Sequence, residues 1–270
     1  MHSDSICVDA TTIATVSTEG TDGTVLLFHG NSLCSREFTP QLTSDLGRRY
    51  RLVAFDLPGH GGSDRPAAPR KTYGVGGLRS LFHAAVKQLG VNAPVLVGHS
   101  LGGHLAVELL PLLPDCRGVL LFGAPPLRSA ESLREAFLPA GTTDLVFKEQ
   151  LTDDEVARFA GTFADGGGEA PPEACEWIRS TDPAFRPCLG ESAAGELSDE
   201  AAIVREAACP IAIVHGAYES VVSLPYICSL PIPRLWRGAV QVIGGGHCCH
   251  WEHPDAFNRI LGDFLRDVFR

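Results

Sequence analysis

Three short stretches of this chain carry residue types that can together perform acyl-transfer chemistry. Gly98-His99-Ser100-Leu101-Gly102-Gly103 sets a serine between glycines. The run before it, Ala93-Pro94-Val95-Leu96-Val97, is short and apolar and reads as a buried parallel strand. The run after it, His104-Leu105-Ala106-Val107-Glu108-Leu109-Leu110, reads as a helix stopped by Pro111. A serine at such a junction sits on a tight, strained turn, with its hydroxyl projecting at the helix N-terminus. A hydroxyl needs a base to become a nucleophile, and the base needs an orienting acid. Strand-then-loop logic finds both downstream. The apolar strand Pro210-Ile211-Ala212-Ile213-Val214 is followed by His215-Gly216-Ala217-Tyr218-Glu219, which puts a carboxylate in the loop. The last strand, Ala239-Val240-Gln241-Val242-Ile243, is followed by Gly244-Gly245-Gly246-His247, which puts an imidazole in a glycine loop. Loops at the C-terminal edge of a parallel sheet converge on one crevice. Ser100, Glu219 and His247 are therefore expected there as nucleophile, acid and general base.

Such a site also needs two donors aimed at the tetrahedral oxygen. The backbone N–H of Leu101, at the helix N-terminus, supplies one, and Asn31, after His29-Gly30, the other. The loop just after the Val119–Phe122 strand holds Gly123-Ala124-Pro125-Pro126 and no acid, which leaves Glu219 as the carboxylate among these strand-end loops. The pocket is expected to draw on His99, beside the serine, and on Phe137, Leu145, Phe159 and Trp177. Cys248, Cys249, His250 and His253 crowd behind His247, but no second cluster supplies the further ligands of a hydrolytic metal pair. The expectation is neither metal nor cofactor. Asp56 and His60, in a Pro-Gly turn, read as structural.

These residues need a scaffold. Strands are expected near Val25–Phe28, Arg51–Phe55, Val95–Val97, Val119–Phe122, Ile211–Val214 and Ala239–Ile243, with leading antiparallel strands around Ile6–Ser17. Leu78, Leu81, Phe82, Ala85, Val86 and Leu89 share one helical face, as do Phe257, Ile260, Leu261, Phe264, Leu265 and Val268. Alternating strands and helices imply right-handed crossovers and a mostly parallel sheet. The alternation stops between about Leu127 and Ala207. Helical runs replace it: one opened by the capping box Thr152-Asp153-Asp154-Glu155, one over Glu173–Arg179 and one over Asp199–Ala207, with Gly166-Gly167-Gly168 as a joint.

The 270 residues suit one α/β domain with an insertion, and a hydrophobic share of 44% can fill its core. A net charge of −10 argues against nucleic acid and anionic membrane surfaces as partners. No uninterrupted apolar run reaches the length of a membrane span, and Met1-His2-Ser3-Asp4-Ser5 has no secretory character. Nine cysteines, an odd number, fit reduced thiols and a cytoplasmic setting. Nothing in the sequence decides for or against a homodimer.

Taken together, Leu27-Phe28-His29-Gly30-Asn31-Ser32, Phe55-Asp56-Leu57-Pro58-Gly59-His60-Gly61-Gly62-Ser63, the Ser100 elbow, His215–Glu219 and Gly246-His247 resemble the α/β-hydrolase-fold serine hydrolases over nearly the whole chain. Within that superfamily the sequence most resembles the metal-independent N-acyl-homoserine lactone hydrolases, the quorum-quenching lactonases. The shared features are the His-Gly-Asn-Ser opening, the Gly-x-Ser-Leu-Gly-Gly-His elbow, Gly123-Ala124-Pro125-Pro126 and Glu as the acid. His99 departs from that group, which tends to carry Trp there. The resemblance implies a core from 1–126 and 208–270, a helical cap from 127–207, and a small-molecule ester or lactone as substrate. Rival readings are a carboxylesterase, a C–C hydrolase or a perhydrolase on the same residues, and a slow-turnover small-molecule receptor.

Overall fold

Strands β1 (His2–Val8), β2 (Thr11–Ser17), β3 (Thr24–Phe28), β4 (Arg51–Phe55), β5 (Val95–His99), β6 (Gly118–Phe122), β7 (Ile211–Gly216) and β8 (Gln241–Ile243) form one sheet in the order β1-β2-β4-β3-β5-β6-β7-β8. This computed structural model describes residues 1–139, 142, 144–164 and 172–270. β1 and β2 pair antiparallel, β2 pairs antiparallel with β4, and every other neighbour is parallel. Strands buried on both faces must be apolar throughout, and β5, β6 and β7 are buried at every residue. Side chains still alternate between the two layers. In β3, Leu26 and Phe28 pack with Phe55 and Phe82 on one face, while Val25 and Leu27 pack with Phe122, Phe257 and Phe264 on the other.

The helices follow the spacing read from the sequence. Val75–Gln88 buries Leu78, Leu81, Phe82, Ala85 and Val86, and Pro254–Val268 buries Phe257, Leu261, Phe264 and Leu265. β8 is shorter than expected, because Arg237 and Gly238 both turn the chain with positive φ just before it. No helix among the described residues is long and apolar enough to cross a membrane.

Between β6 and β7 the described residues form helices. Asp153–Gly161 starts at Thr152, whose side chain and that of Glu155 complete the expected capping box. Pro172–Ser180 and Glu200–Glu206 follow, the latter capped by Asp199. The Gly166-Gly167-Gly168 joint lies outside the described residues. A further helix, Phe185–Glu196, has no counterpart among the helical runs of the sequence. Pro187, Gly190 and Gly195 mask it in sequence; Phe185 anchors it, its ring edge-on to His60 at 4.3 Å and to Tyr73 at 5.0 Å. The insertion has its own small core, in which Leu145, Val156, Phe159, Trp177 and Ile178 pack with Leu33 and Cys248 of the sheet domain.

Candidate active site

Ser100 joins β5 to the helix Leu101–Leu109 with φ 50° and ψ −118°, a conformation that a residue with a Cβ holds only when its surroundings enforce it. They do. Ser100 N donates to Phe122 O at 2.9 Å, and Gly103 N donates to Ser100 O at 2.8 Å. A Cβ on Gly98 would lie 2.3 Å from Gly102 O, and one on Gly102 would lie 2.1 Å from Phe28 O. The elbow is packed backbone against backbone, and no side chain fits at either glycine.

Glu219 and His247 meet across two loops. Glu219 Oε1 accepts from Val221 N at 2.7 Å and Val222 N at 3.3 Å, while Oε2 lies 2.8 Å from His247 Nδ1. Nδ1–H donates in that bond, which leaves Nε2 as the nitrogen able to take a proton. Burial alone would depress the His247 pKa, but the charge and hydrogen bond of Glu219 outweigh it and hold the imidazole above its ordinary value. Burial would likewise raise Glu219; the His247 charge and bond and the Val221 N–H prevail and hold it low. Gly123, just past β6, makes room for the ring. Its φ is +60°, and a Cβ there would stand 2.7 Å from His247 Cε1.

Asn31, Ser100, Leu101 and His247 all face one cavity of about 230 Å³, whose remaining walls are largely apolar. As the first residue of its helix, Leu101 has a backbone N–H with no intrahelical acceptor. The Asn31 side chain is tied at both ends: Nδ2 donates to Val146 O at 2.9 Å, and Oδ1 accepts from Ser32 Oγ at 2.9 Å. Its backbone N–H donates to no backbone carbonyl among the described residues and is the donor Asn31 has to offer the cavity. Phe137 and Phe159 line the cavity. Leu145, Trp177 and His99 do not, which corrects three expectations. Leu145 and Trp177 fill the core of the insertion, where Trp177 stacks on Trp251 with ring centroids 5.5 Å apart. A small helical insertion needs its largest apolar residues for its own stability, and that need outcompetes the pocket.

His99 lies beneath the site, fully buried, in a polar trio that sequence reasoning missed. Its Nε2 is 3.1 Å from His247 O and its Nδ1 is 3.1 Å from Glu37 Oε2, while Glu37 Oε1 accepts from Gly30 N at 3.3 Å. A carbonyl can only accept, so Nε2 carries a proton. Burial pushes Glu37 well up and His99 well down, which keeps both groups neutral; Nδ1 then accepts, and Glu37 donates to it as a carboxylic acid. The third member is His250, its ring among Phe38, Phe122 and Phe257, with neither ring nitrogen hydrogen-bonded among the described residues. One ligand atom from each of Glu37, His99 and His250 falls within 4.8 Å of the others, a donor set of the kind that takes zinc. Of the run behind His247, His250 completes this donor set, and Cys248 touches it, its Sγ 4.0 Å from His99 Nε2. Glu37 carried no sequence signal; its partners are 62 and 213 residues away in the chain.

The sheet order, the strained elbow after β5 and the helices between β6 and β7 define an α/β-hydrolase architecture. The chain matches the alpha/beta hydrolase family over residues 25–260 and belongs to it. Among solved structures it is similar to the N-acyl homoserine lactonase AidH complexed with N-butanoyl homoserine: 30% identity, TM-score 0.94, with 99% of this chain and 97% of that one covered. Among curated proteins it is 27% identical to the 2-(acetamidomethylene)succinate hydrolase of Mesorhizobium japonicum, over 93% of this chain and 90% of that one. It is also 26% identical to the pimeloyl-[acyl-carrier protein] methyl ester esterase of Xanthomonas oryzae pv. oryzae, over 90% and 95% of the two chains.

Proposed function

We propose that this hydrolase opens N-acyl-homoserine lactones by a Ser-His-Glu mechanism. The observation that carries the reading is the Glu219–His247 bond of 2.8 Å behind a cavity that also receives the strained Ser100. Ser100 Oγ attacks the lactone carbonyl as His247 Nε2 takes its proton, and Glu219 stabilises the imidazolium that forms. The oxyanion is held by the backbone N–H groups of Leu101 and Asn31. Ring opening leaves the alcohol tethered to the acyl-enzyme, so water activated by His247 must intercept the ester before the ring recloses. The apolar walls suit an acyl tail, and the likeness to AidH favours the lactone. In this reading residues 127–207 are a cap that excludes water over a core of 1–126 and 208–270, and the chemistry needs no cofactor.

The test is a panel of N-acyl-homoserine lactones and p-nitrophenyl esters of graded acyl length, run on the wild type and on Ser100→Ala. Lactones should gain one water with the amide intact by mass spectrometry. Ser100→Ala should lose on the order of 10³–10⁶ in kcat while keeping its fold. Cleavage of aryl esters with no hydration of any lactone would make the protein a carboxylesterase; its Xanthomonas relative is named as a methyl ester esterase.

A further inference from the structure

Arg186, in the helix Phe185–Glu196, is 3% exposed. A buried guanidinium ordinarily faces a carboxylate, because an uncompensated charge is expensive to desolvate. Among the described residues Arg186 makes no ion pair. It spends its donors on neutral oxygens instead: Nε on Lys148 O at 2.7 Å, Nη2 on Glu149 O at 3.1 Å and Nη1 on Ser32 Oγ at 3.0 Å. Arginine can only donate, so the Ser32 hydroxyl accepts from it, and its own proton is directed to Asn31 Oδ1 at 2.9 Å. The other end of that amide is fixed by Val146 O, which accepts from Asn31 Nδ2 at 2.9 Å. A flipped amide would set two carbonyl oxygens against each other there. The contacts close a ring: Arg186 to Ser32, Ser32 to Asn31, Asn31 to Val146, and through Lys148 and Glu149 back to Arg186. Ser32 sits in the ring with φ +61°, held by a hydrogen bond from its backbone N to His60 Nε2 at 3.3 Å.

We infer that Arg186 is a positioning residue for the oxyanion loop: through the Ser32 hydroxyl it clamps Asn31 so that the Asn31 backbone N–H is aimed at the developing oxyanion. The inference rests on the role given to Asn31 above and adds a dependence of the chemistry on the inserted helices. A charge at one end of a hydrogen-bond chain strengthens the links after it, which accounts for an arginine where a neutral donor would satisfy the geometry. Val146 also lines the cavity, so the ring that fixes the oxyanion donor touches the space assigned to the acyl tail.

The experiment compares Ser32→Ala, Arg186→Met and their combination with the wild type. It measures kcat and KM on a p-nitrophenyl ester, the unfolding midpoint, and inhibition by an alkylboronic acid, which forms a tetrahedral adduct on a nucleophilic serine. A whole oxyanion donor is worth about 10²–10³ in kcat, so a misaimed one should cost less. Ser32→Ala should lower kcat about tenfold and Arg186→Met about 10- to 100-fold, with KM changed less than about twofold. Boronic acid affinity should fall in proportion to kcat, and the double variant should be no slower than Arg186→Met alone, because both break one ring. A lowered unfolding midpoint with unchanged kcat and boronic acid affinity would reduce Arg186 to a tie between insertion and core. Should Arg186→Met not fold, Ser32→Ala decides the matter alone, since it removes one hydroxyl. A wild type that the boronic acid does not inhibit, or a Ser100→Ala variant that still turns over, would sink the serine mechanism itself and this inference with it.

Discussion

Two buried glutamate–histidine pairs lie side by side in this molecule, with the rings of His247 and His99 centred 4.9 Å apart. In one, Glu219 is held low and His247 high, so the pair favours charge. In the other, Glu37 is pushed up and His99 down, so the pair stays neutral. The residue types are the same and the burial is nearly so. The other bonds of each pair make the difference. Glu219 accepts two backbone N–H groups beside its histidine, and His247 keeps one nitrogen on the cavity. Glu37 accepts one long N–H bond, and both nitrogens of His99 are spent inside the protein. A Glu–His contact is therefore not a catalytic signature in itself. In the proposed mechanism, a second backbone donor and an idle imidazole nitrogen on a cavity make it one.

The sharpest way to break this contrast is to replace the carboxyl of each pair by an amide. Glu219→Gln should lower kcat about 10⁴-fold, by analogy with the corresponding change in other triads, since the amide cannot stabilise an imidazolium. An unaltered rate in steady-state assays would strip Glu219 of its role. The pH profile is the next largest effect. His247 must be neutral to take the Ser100 proton, and its pKa lies above the ordinary value of about 6.5. The rate should accordingly fall on the acid side of a pKa above about 6.5, roughly tenfold per pH unit; a rate flat down to pH 5 contradicts the assignment. Each methylene added to the acyl tail, until the cavity is full, should raise kcat/KM about fourfold, from about 0.8 kcal/mol of burial. No gain along a graded lactone series would mean that the tail lies elsewhere.

Glu37→Gln should matter least. The glutamine oxygen can accept from Gly30 N and its NH₂ can donate to His99 Nδ1, reproducing the neutral acid, so kcat should change less than tenfold and stability at pH 4 by less than about 1 kcal/mol. The pH dependence gives the sign. A carboxyl whose pKa is raised on folding binds its proton more tightly in the native state, so its stabilising contribution falls as pH rises above the unfolded value, near about 4.3. The glutamine variant lacks that loss and should gain on the wild type between pH 4 and pH 7 in denaturant titrations. A variant that instead loses ground there would show Glu37 ionised and paired with an imidazolium. Chelation with EDTA should leave activity unchanged. Loss with recovery on added zinc would place an ion at Glu37, His99 and His250.

The elements that carry the proposed chemistry were legible because local rules set them. An apolar run, a glycine pair and a helical run define the elbow, and strand ends deliver Glu219 and His247 to the same edge. What the sequence hid depends on distant packing. Glu37 follows the polar pair Ser35-Arg36, and the partners it is buried against, His99 and His250, lie far along the chain. The helix Phe185–Glu196 has glycines and a proline where a helix signal should be strong, and tertiary contacts of Phe185 override them. Leu145 and Trp177 are apolar enough for either a pocket or a core, and composition cannot choose between the two.

The space kept open by Gly123 constrains how this protein can change over generations. A related layout of the same sheet could carry the acid just after β6, and such a swap would free the β7 loop to diverge. Here any side chain at position 123 collides with the imidazole it would have to serve, 2.7 Å from the first carbon added. A lineage that lost Glu219 could not recover by a single substitution there, because the ring would have to move before the new acid was useful. In the proposed mechanism the acid is thus tied to the loop after β7, and that loop should tolerate insertions and deletions far less than its surface position suggests.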